Sequence, residues 1–264
     1  METPLSIIAV FTAPELGFTG NTAAVLFTDA PLPEKEMRRL ASDLNQPATT
    51  FLWPHTDAQT FNVRWFAPDA EIGLCGHGSL AAIAYLHNHH KIDSIKLKYN
   101  AGEITGTANN DGSCSMQLNA IAVTGELKPS PILVAGLGIS VKEYFTTNNK
   151  HIAVVGSEKE LRDMQPDFAK LRESEVFGYS VTAPGDEVDF VSRTLVPHVQ
   201  QLEDHATGSS HAALAPFWSN RLGKTKMNAL QLSKRGGKFE CEVDGNTVTL
   251  TGQYTLIAEG QLFI

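Results

Sequence analysis

The feature that most limits what this chain can fold into is an internal repeat. Arg64-Trp-Phe-Ala-Pro68 in the first half is answered by Arg193-Thr-Leu-Val-Pro197 in the second, at an offset of 129 residues. Each follows a strand-like segment, Phe61–Trp65 and Asp189–Ser192, and self-similarity at a fixed offset is the mark of a duplicated architecture. After each proline come an acidic stretch, a glycine turn and an Ala-rich apolar run, Cys75-Gly-His-Gly-Ser-Leu-Ala-Ala82 and Ala206-Thr-Gly-Ser-Ser-His-Ala-Ala213. Hairpin-like regions close both halves, Leu97–Leu118 and Leu232–Leu250, with Asp-Gly turns at 111–112 and 244–245. The bland alternative is chance agreement among common strand, turn and helix signatures, and the shared Arg-x-x-x-Pro argues against it.

The expected fold is therefore α/β (α+β) with two pseudo-symmetric lobes. A chain of 264 residues divides into halves of about 130, each long enough to bury a core. The Pro-containing link at Lys128–Pro131 serves as the expected boundary. It gives an N-terminal lobe over 1–122 and a C-terminal lobe over 130–264, with the final strand near 254–264 open to joining the first lobe and an active cleft between the two.

Local patterns fill in the first half. Ser6–Phe11 reads as a strand, and Gly20-Asn21 as a turn that needs positive φ and feeds a second, small-residue strand. From Pro33 to Leu44 the residues Met37, Leu40, Ala41 and Leu44 recur at helical spacing opposite a charged face. Thr50–Trp53, Phe61–Phe66, Lys96–Tyr99, Glu103–Thr107 and Ser115–Leu118 read as strands. The run from Gly76 to about His89 is apolar on every side, which predicts a helix buried all round.

Composition removes several classes of function. There are 21 Lys plus Arg against 29 Asp plus Glu, a formal charge of −8, and no basic run follows a phosphate backbone. Nucleic acid is excluded as an expected partner. The longest apolar stretches, Leu5–Phe11 and Leu80–Leu86, fall far short of the roughly 20 residues that cross a bilayer, and no basic leader opens the chain. No membrane partner is expected, and the cytoplasm is the expected location. Cys75, Cys114 and Cys241 form neither a disulfide framework nor a zinc pattern, so reduced thiols are expected. His87, His89 and His90 resemble a metal tract, but at the end of an apolar helix they suit its carboxyl terminus, and no metal is expected. Dinucleotide, P-loop and nucleophile-elbow motifs do not occur.

Two helices starting at Gly76–Ser79 and Gly208–Ser210 would aim unpaired N–H groups and partial positive charge at an anion, a carboxylate or enolate. Near those starts lie Cys75, His77, Asp204, His205, Ser209, Ser210 and His211, groups able to move protons or donate hydrogen bonds. Proton abstraction next to a carbonyl needs such an acid or base beside donors that stabilise developing charge, without a metal or cofactor. Each residue also has a structural reading: His77 as a helix cap, Cys75 as filler at a strand end, Asp204 as a turn or N-cap residue.

The ordered motifs Val10-Phe11-Thr12, Gly20-Asn21-Thr22-Ala23-Ala24-Val25, Cys75-Gly76-His77 and Glu203-Asp204-His205-Ala206-Thr207-Gly208-Ser209 resemble the phenazine-biosynthesis-like (PhzF) family. Agreement continues in Arg193, in Gln231-Leu-Ser-Lys-Arg-Gly-Gly237 and in Val248-Thr-Leu-Thr-Gly252 with Glu259-Gly260. The resemblance implies a diaminopimelate-epimerase-like fold, each lobe wrapping a curved sheet around a central helix, and cofactor-independent proton transfer on a small carboxylated metabolite by a homodimer. It implies ligand-contacting, acid–base roles for His77, Asp204 and Ser209 and backbone donors at Gly208; Cys75 is a further catalytic candidate, and Gly20, Asn21, Gly76, Gly78, Ser79, Thr207 and Ser210 are candidate substrate contacts.

One position departs from the family. The proton-shuttling glutamate of its Asn-x-Ser-Glu-Thr-x-Phe string is Ala48 in Asn45-Gln46-Pro47-Ala48-Thr49-Thr50-Phe51. Alanine cannot exchange a proton, so phenazine-type isomerisation is not expected. Cys75-Gly76-His77-Gly78 also looks like the first catalytic motif of proline racemases, whose second cysteine is replaced here by Thr207. Three functional expectations follow: an isomerase-class enzyme, a non-catalytic small-molecule-binding protein of the same fold, and a Cys75-based epimerase or dehydratase.

Overall fold

A computed structural model describes residues 2–263 as two compact units, the first formed by 2–118 with 249–263 and the second by 119–248. In the first unit the strands are β1 (Glu2–Thr12), β2 (Asn21–Phe27), β3 (Ala48–Pro54), β4 (Thr60–Phe66), β5 (Glu71–Ile72), β6 (Ser94–Tyr99), β7 (Gly102–Ala108) and β8 (Ser113–Asn119). Most of β17 (Thr247–Phe263) belongs here too. β1 pairs antiparallel with β2, β2 parallel with β3, β3 antiparallel with β4, β4 parallel with β6, and β6–β7–β8 form a meander. β17 then joins β8 to β1, so eight strands close into a barrel without an open edge.

Inside that barrel runs α2 (Gly76–His90), buried continuously from Gly76 to Leu86. Only a helix apolar on all sides can fill such a space, and the all-round apolar run in the sequence supplies it. α1 (Glu34–Leu44) is amphipathic and lies outside, placing Met37, Leu40 and Ala41 against Ala24, Leu26, Phe51 and Phe66. Because side chains alternate along a strand, Thr50 points the other way, inward, and its Oγ donates to the Gly78 carbonyl at 3.3 Å. Ala48, two residues earlier on the same strand, shares that inward face.

The second unit repeats the scheme. Its strands are β9 (Val123–Leu127), β10 (Val141–Thr147), β11 (His151–Val155), β12 (Tyr179–Pro184), β13 (Phe190–Val196), β14 (Leu202–Asp204), β15 (Lys226–Gln231) and β16 (Gly237–Asp244). β10 pairs antiparallel with β11, β11 parallel with β12, β12 antiparallel with β13, β13 parallel with β15, and β15 antiparallel with β16. This is the β1–β2–β3–β4–β6–β7 order again, and β14 sits on the end of β13 as β5 does on β4. The central helix α6 (Gly208–Leu222) is the counterpart of α2, buried at Gly208 and along most of its length to Trp218.

The repeated arginine has a physical purpose. Arg64 of β4 forks onto Glu71 of β5, Nε to Oε1 and Nη2 to Oε2 both at 2.7 Å, and Nη2 reaches Glu34 of α1 at 2.8 Å. Arg193 of β13 forks onto Glu203 of β14, both bonds at 2.8 Å, and donates to the Met164 carbonyl at 2.5 Å. Bidentate arginine–carboxylate pairs are geometrically strict, so each pair fixes the short strand that leads into a central helix.

The segment read as a linker is structured. Ser130 caps α3 (Pro131–Leu137), accepting the Leu133 N–H at 3.1 Å, so Pro131 opens a helix at the position where proline is best tolerated. Two more short helices follow, α4 (Glu158–Asp163) and α5 (Phe168–Leu171). None is long enough to produce a readable period, and β10 is half-exposed, without the alternation that marks a strand.

Candidate functional site

The two central helices begin in nearly the same backbone conformation. The N-cap Cys75 has φ −123° and ψ 102°, and the N-cap Thr207 has φ −120° and ψ 104°. These are equivalent positions of a duplicated unit carrying different chemistry, a thiol in one and a hydroxyl in the other.

At α2, Cys75 Sγ accepts the Gly78 N–H at 3.4 Å and lies 3.6 and 3.8 Å from Nδ1 and Nε2 of His77. Whichever ring nitrogen carries the proton is therefore within reach of the sulfur. Burial raises the thiols of Cys114, to about 12, and Cys241, further, which makes both inert space-fillers. Gly76 is the first helical residue. Ser79 spends its hydroxyl on the Cys75 carbonyl at 2.7 Å and its N–H on the same oxygen at 2.9 Å. It closes the first turn, so neither group is left to face a ligand as the sequence led us to expect.

Gly78 is required by contact rather than by φ. A Cβ there would stand 2.7 Å from Trp65 Cδ1, 2.9 Å from Thr50 Oγ1 and 3.0 Å from Cys75 Sγ. Trp65 is fully buried and cannot retreat. Gly78→Ala is expected to lose roughly 1–3 kcal/mol, the usual cost of overpacking, and to displace the Cys75 sulfur. Urea midpoints check the first effect, and the rate of Cys75 alkylation by iodoacetamide, compared with the parent protein, checks the second.

Elsewhere in the first unit, Gly20 adopts φ +65°, and a Cβ would meet the Val10 carbonyl oxygen at 2.1 Å, so only glycine fits. Asn21 is not left-handed; it starts β2 in register with Val10 and is wholly buried. Phe11, at φ 59°, is a strained residue that the sequence does not reveal. It marks an irregularity where β1 and β17 slip register between Val10 and Thr12.

At α6 the polar groups form a network. Thr207 Oγ donates to Asp204 Oδ2 at 2.8 Å and accepts from Gln231 Nε2 at 3.1 Å. Gln231 Nε2 also donates to the Asp204 carbonyl at 2.6 Å, and its Oε1 accepts the Thr207 N–H at 2.9 Å. The backbone donor forces the orientation of the carboxamide, and the carboxamide forces the direction of the threonine proton. Thr207 is thus held as a donor to Asp204 and cannot serve as a base. Gln231 joins the candidate site through these bonds, which the spacing arguments missed; its signal was the Gln231–Gly237 string.

Gly208 opens the helix. Ser209 Oγ accepts from Lys150 Nζ at 2.9 Å, a second partner invisible in the sequence. The Ser210 hydroxyl is turned into the core, accepting from Ser180 and Thr194 at 3.0 Å each, so its side chain stabilises the unit rather than meeting a ligand. His211 is fully buried, bonds the Thr207 carbonyl through Nδ1 at 2.9 Å and stacks on Phe239 with centroids 3.6 Å apart. Burial lowers its pKa to about 4, which keeps it neutral and structural. His205 is lowered chiefly by burial as well, against the pull of Asp204.

Among the described residues no group of three or more His, Cys, Asp or Glu could hold a metal. His87 and His89 pair with Asp93 and Glu259 at 2.7 and 2.9 Å, and His90 packs on Phe27. No helix of the described residues is long and apolar enough to cross a membrane.

Known proteins carry the same pattern. The family model for phenazine biosynthesis-like proteins matches residues 8–260. An uncharacterised isomerase of Pseudomonas aeruginosa is 35% identical, covering 98% of this chain and 99% of its own. Phenazine biosynthesis-like domain-containing protein 2 of mouse is 30% identical over 99% of each. Among solved structures, a PhzF-family protein of Enterococcus faecalis superposes with a TM-score of 0.92 at 33% identity over 100% of both chains. A hydroxyproline epimerase of Agrobacterium vitis shares the fold, with a TM-score of 0.67 at 12% identity, covering 99% of this chain and 92% of its own. With a barrel-enclosed helix in the first unit, the same strand order in the second and a family match over almost the whole length, the chain belongs to the phenazine-biosynthesis-like family, with a diaminopimelate-epimerase-like fold.

Proposed function

We propose that this protein is an isomerase-class enzyme that moves a proton on a small carboxylate-bearing metabolite without a cofactor. Asp204 and Ser209 of the second unit and His77 and Cys75 of the first carry the acid–base work. Gly20, Asn21, Gly76, Gly78, Thr207 and Gly208 shape the binding surface, with Gly76 and Gly208 as its backbone donors. The observation that carries this reading is the Asp204–Thr207–Gln231 network. It presents a carboxylate of fixed orientation at the start of a buried helix, where first-turn N–H groups favour a negative charge. That relatives are named isomerases supports the class.

Incubation with a panel of unsaturated and amino carboxylic acids in heavy water tests it, with deuterium uptake followed by NMR. Uptake at a carbon next to the carboxylate is expected. Binding without exchange would sink the enzyme reading and leave a small-molecule-binding protein, which Ala48 favours because it removes the family's proton carrier from the inner face of β3. The Cys75 reading is favoured by the Cys75–His77 contact; under it, Cys75→Ser abolishes exchange whereas Asp204→Asn only reduces it. Ala48→Glu is expected to raise exchange at least tenfold, within the range of general acid–base catalysis. A folded, ligand-binding variant with unchanged exchange would remove position 48 from the proton path. The same reading has the protein acting in the cytoplasm as a homodimer, and the exposed Leu256 and Ile257 of β17 support self-association.

A further inference from the structure

We propose that Lys150 is the specificity-determining cation of this protein: acting through Ser209, it makes the start of α6 select anionic ligands over neutral ones of the same shape. The inference rests on the reading above that Ser209 contacts the ligand.

Lys150 follows β10 in a loop pinned from within. Thr147 Oγ donates to the Lys150 carbonyl at 2.8 Å and accepts the Asn149 N–H at 3.0 Å. The residue as a whole is 7% exposed, which is rare for lysine. Its stem runs past Gly178, where a Cβ would come within 3.3 Å of Lys150 Cγ and 2.8 Å of the Leu195 carbonyl oxygen. Its ammonium lies 5.8 Å from the centroid of the Phe177 ring. The loop, the absent side chain at 178 and the ring together aim Nζ at Asn149 Oδ1, 2.8 Å away, and at Ser209 Oγ, 2.9 Å away.

An ammonium has three donors and no acceptor, so Ser209 Oγ accepts from Lys150 and directs its own proton elsewhere. The adjacent charge polarises that O–H and strengthens any hydrogen bond it gives to an anion. The positive end of α6 adds to the ammonium potential at the same place. A lysine there is electrostatically unfavourable for the helix alone and favourable once a negative group is bound. A carboxylate therefore gains from both, and a carboxamide of equal size gains little.

The test compares benzoate with benzamide, its neutral counterpart, by calorimetric titration of the full-length protein and its Lys150→Met, Lys150→Arg and Ser209→Ala variants. Lys150→Met and Ser209→Ala should each weaken benzoate binding roughly tenfold, the loss of one charge-assisted hydrogen bond, and change benzamide binding less than about twofold. Lys150→Arg should keep most of the preference, which makes the result independent of whether Lys150→Met folds. The double variant should be no weaker than either single one, because the two side chains act as one unit. Equal losses for benzoate and benzamide would reduce Lys150 to a structural fastener and overturn the proposal. Additive losses, or a loss in Lys150→Met with none in Ser209→Ala, would overturn action through Ser209. Unchanged binding in Lys150→Met beside a loss in Ser209→Ala would overturn the role of Lys150 while sparing the site. No benzoate binding by the parent protein would end the carboxylate reading and this inference with it.

Discussion

Asp204→Asn is expected to slow proton exchange on the responsive carboxylic acid by about a thousandfold, equivalent to about 4 kcal/mol of transition-state stabilisation, while hardly moving thermal unfolding. The substitution keeps the shape and one carbonyl oxygen, so the Thr207 hydroxyl at 2.8 Å retains an acceptor and the Gln231 contacts to backbone and threonine are untouched. What disappears is the ability to take up a proton. The Arg193–Glu203 fork beside it still anchors β14. Exchange rates by NMR together with a melting curve separate the two effects. Unaltered exchange in the folded variant would remove Asp204 from the catalytic set.

Acid should destabilise this protein through one buried histidine. His211 is neutral when folded because burial lowers its pKa to about 4 from 6.5. The unfolded chain binds a proton below about 6.5 that the folded chain refuses until about 4. The sign follows: a depressed histidine pKa leaves stability intact above 6.5, and stability falls as pH drops through that window, by about 3 kcal/mol near pH 4. His211→Phe removes this loss. The ring can keep its stacking on Phe239, Thr207 still receives its helical bond from residue 211 at 3.2 Å, and a buried Nε2 with no hydrogen-bond partner is gone. Urea midpoints of parent and variant should be close at pH 7 and diverge by pH 4 in favour of the variant. Equal acid sensitivity in both would assign the effect to groups other than His211.

Much of the architecture was legible in the sequence because it rests on strong patterns. The run Ser79–Leu86 has no polar face, and only a helix enclosed on all sides accepts that. The alternation of Phe61, Val63 and Trp65 requires a strand with one face inward. Arg64 and Arg193 mark the repeat because each pins a short strand through a two-pronged bond that few other residues can form. The middle of the chain was not legible, since α3, α4 and α5 are short and capped by single residues, and β10 is half-exposed. The site divides in the same way. Residues local to the helix starts, Cys75, His77, Asp204 and Ser209, could be nominated from their neighbours. Lys150 and Gln231 were not, because they reach Ser209 and Thr207 across 59 and 24 positions of sequence. Ser79 and Ser210 looked available until their hydroxyl partners, the Cys75 carbonyl and the Ser180–Thr194 pair, were located.

The strand that completes the first barrel follows the whole second unit in the chain. β1 and β8 are both brought into the ring by β17, which ends at Phe263, so during synthesis they emerge long before the segment that joins them. Until then the barrel is a curved sheet with two unsatisfied edges, the state in which nascent chains pair wrongly with one another. The 119–248 segment, by contrast, is translated before any of the 249–264 residues are needed. The first barrel is thus opened before the second unit in chain order and closed after it, so its closure depends on a segment that lies beyond the whole of 119–248.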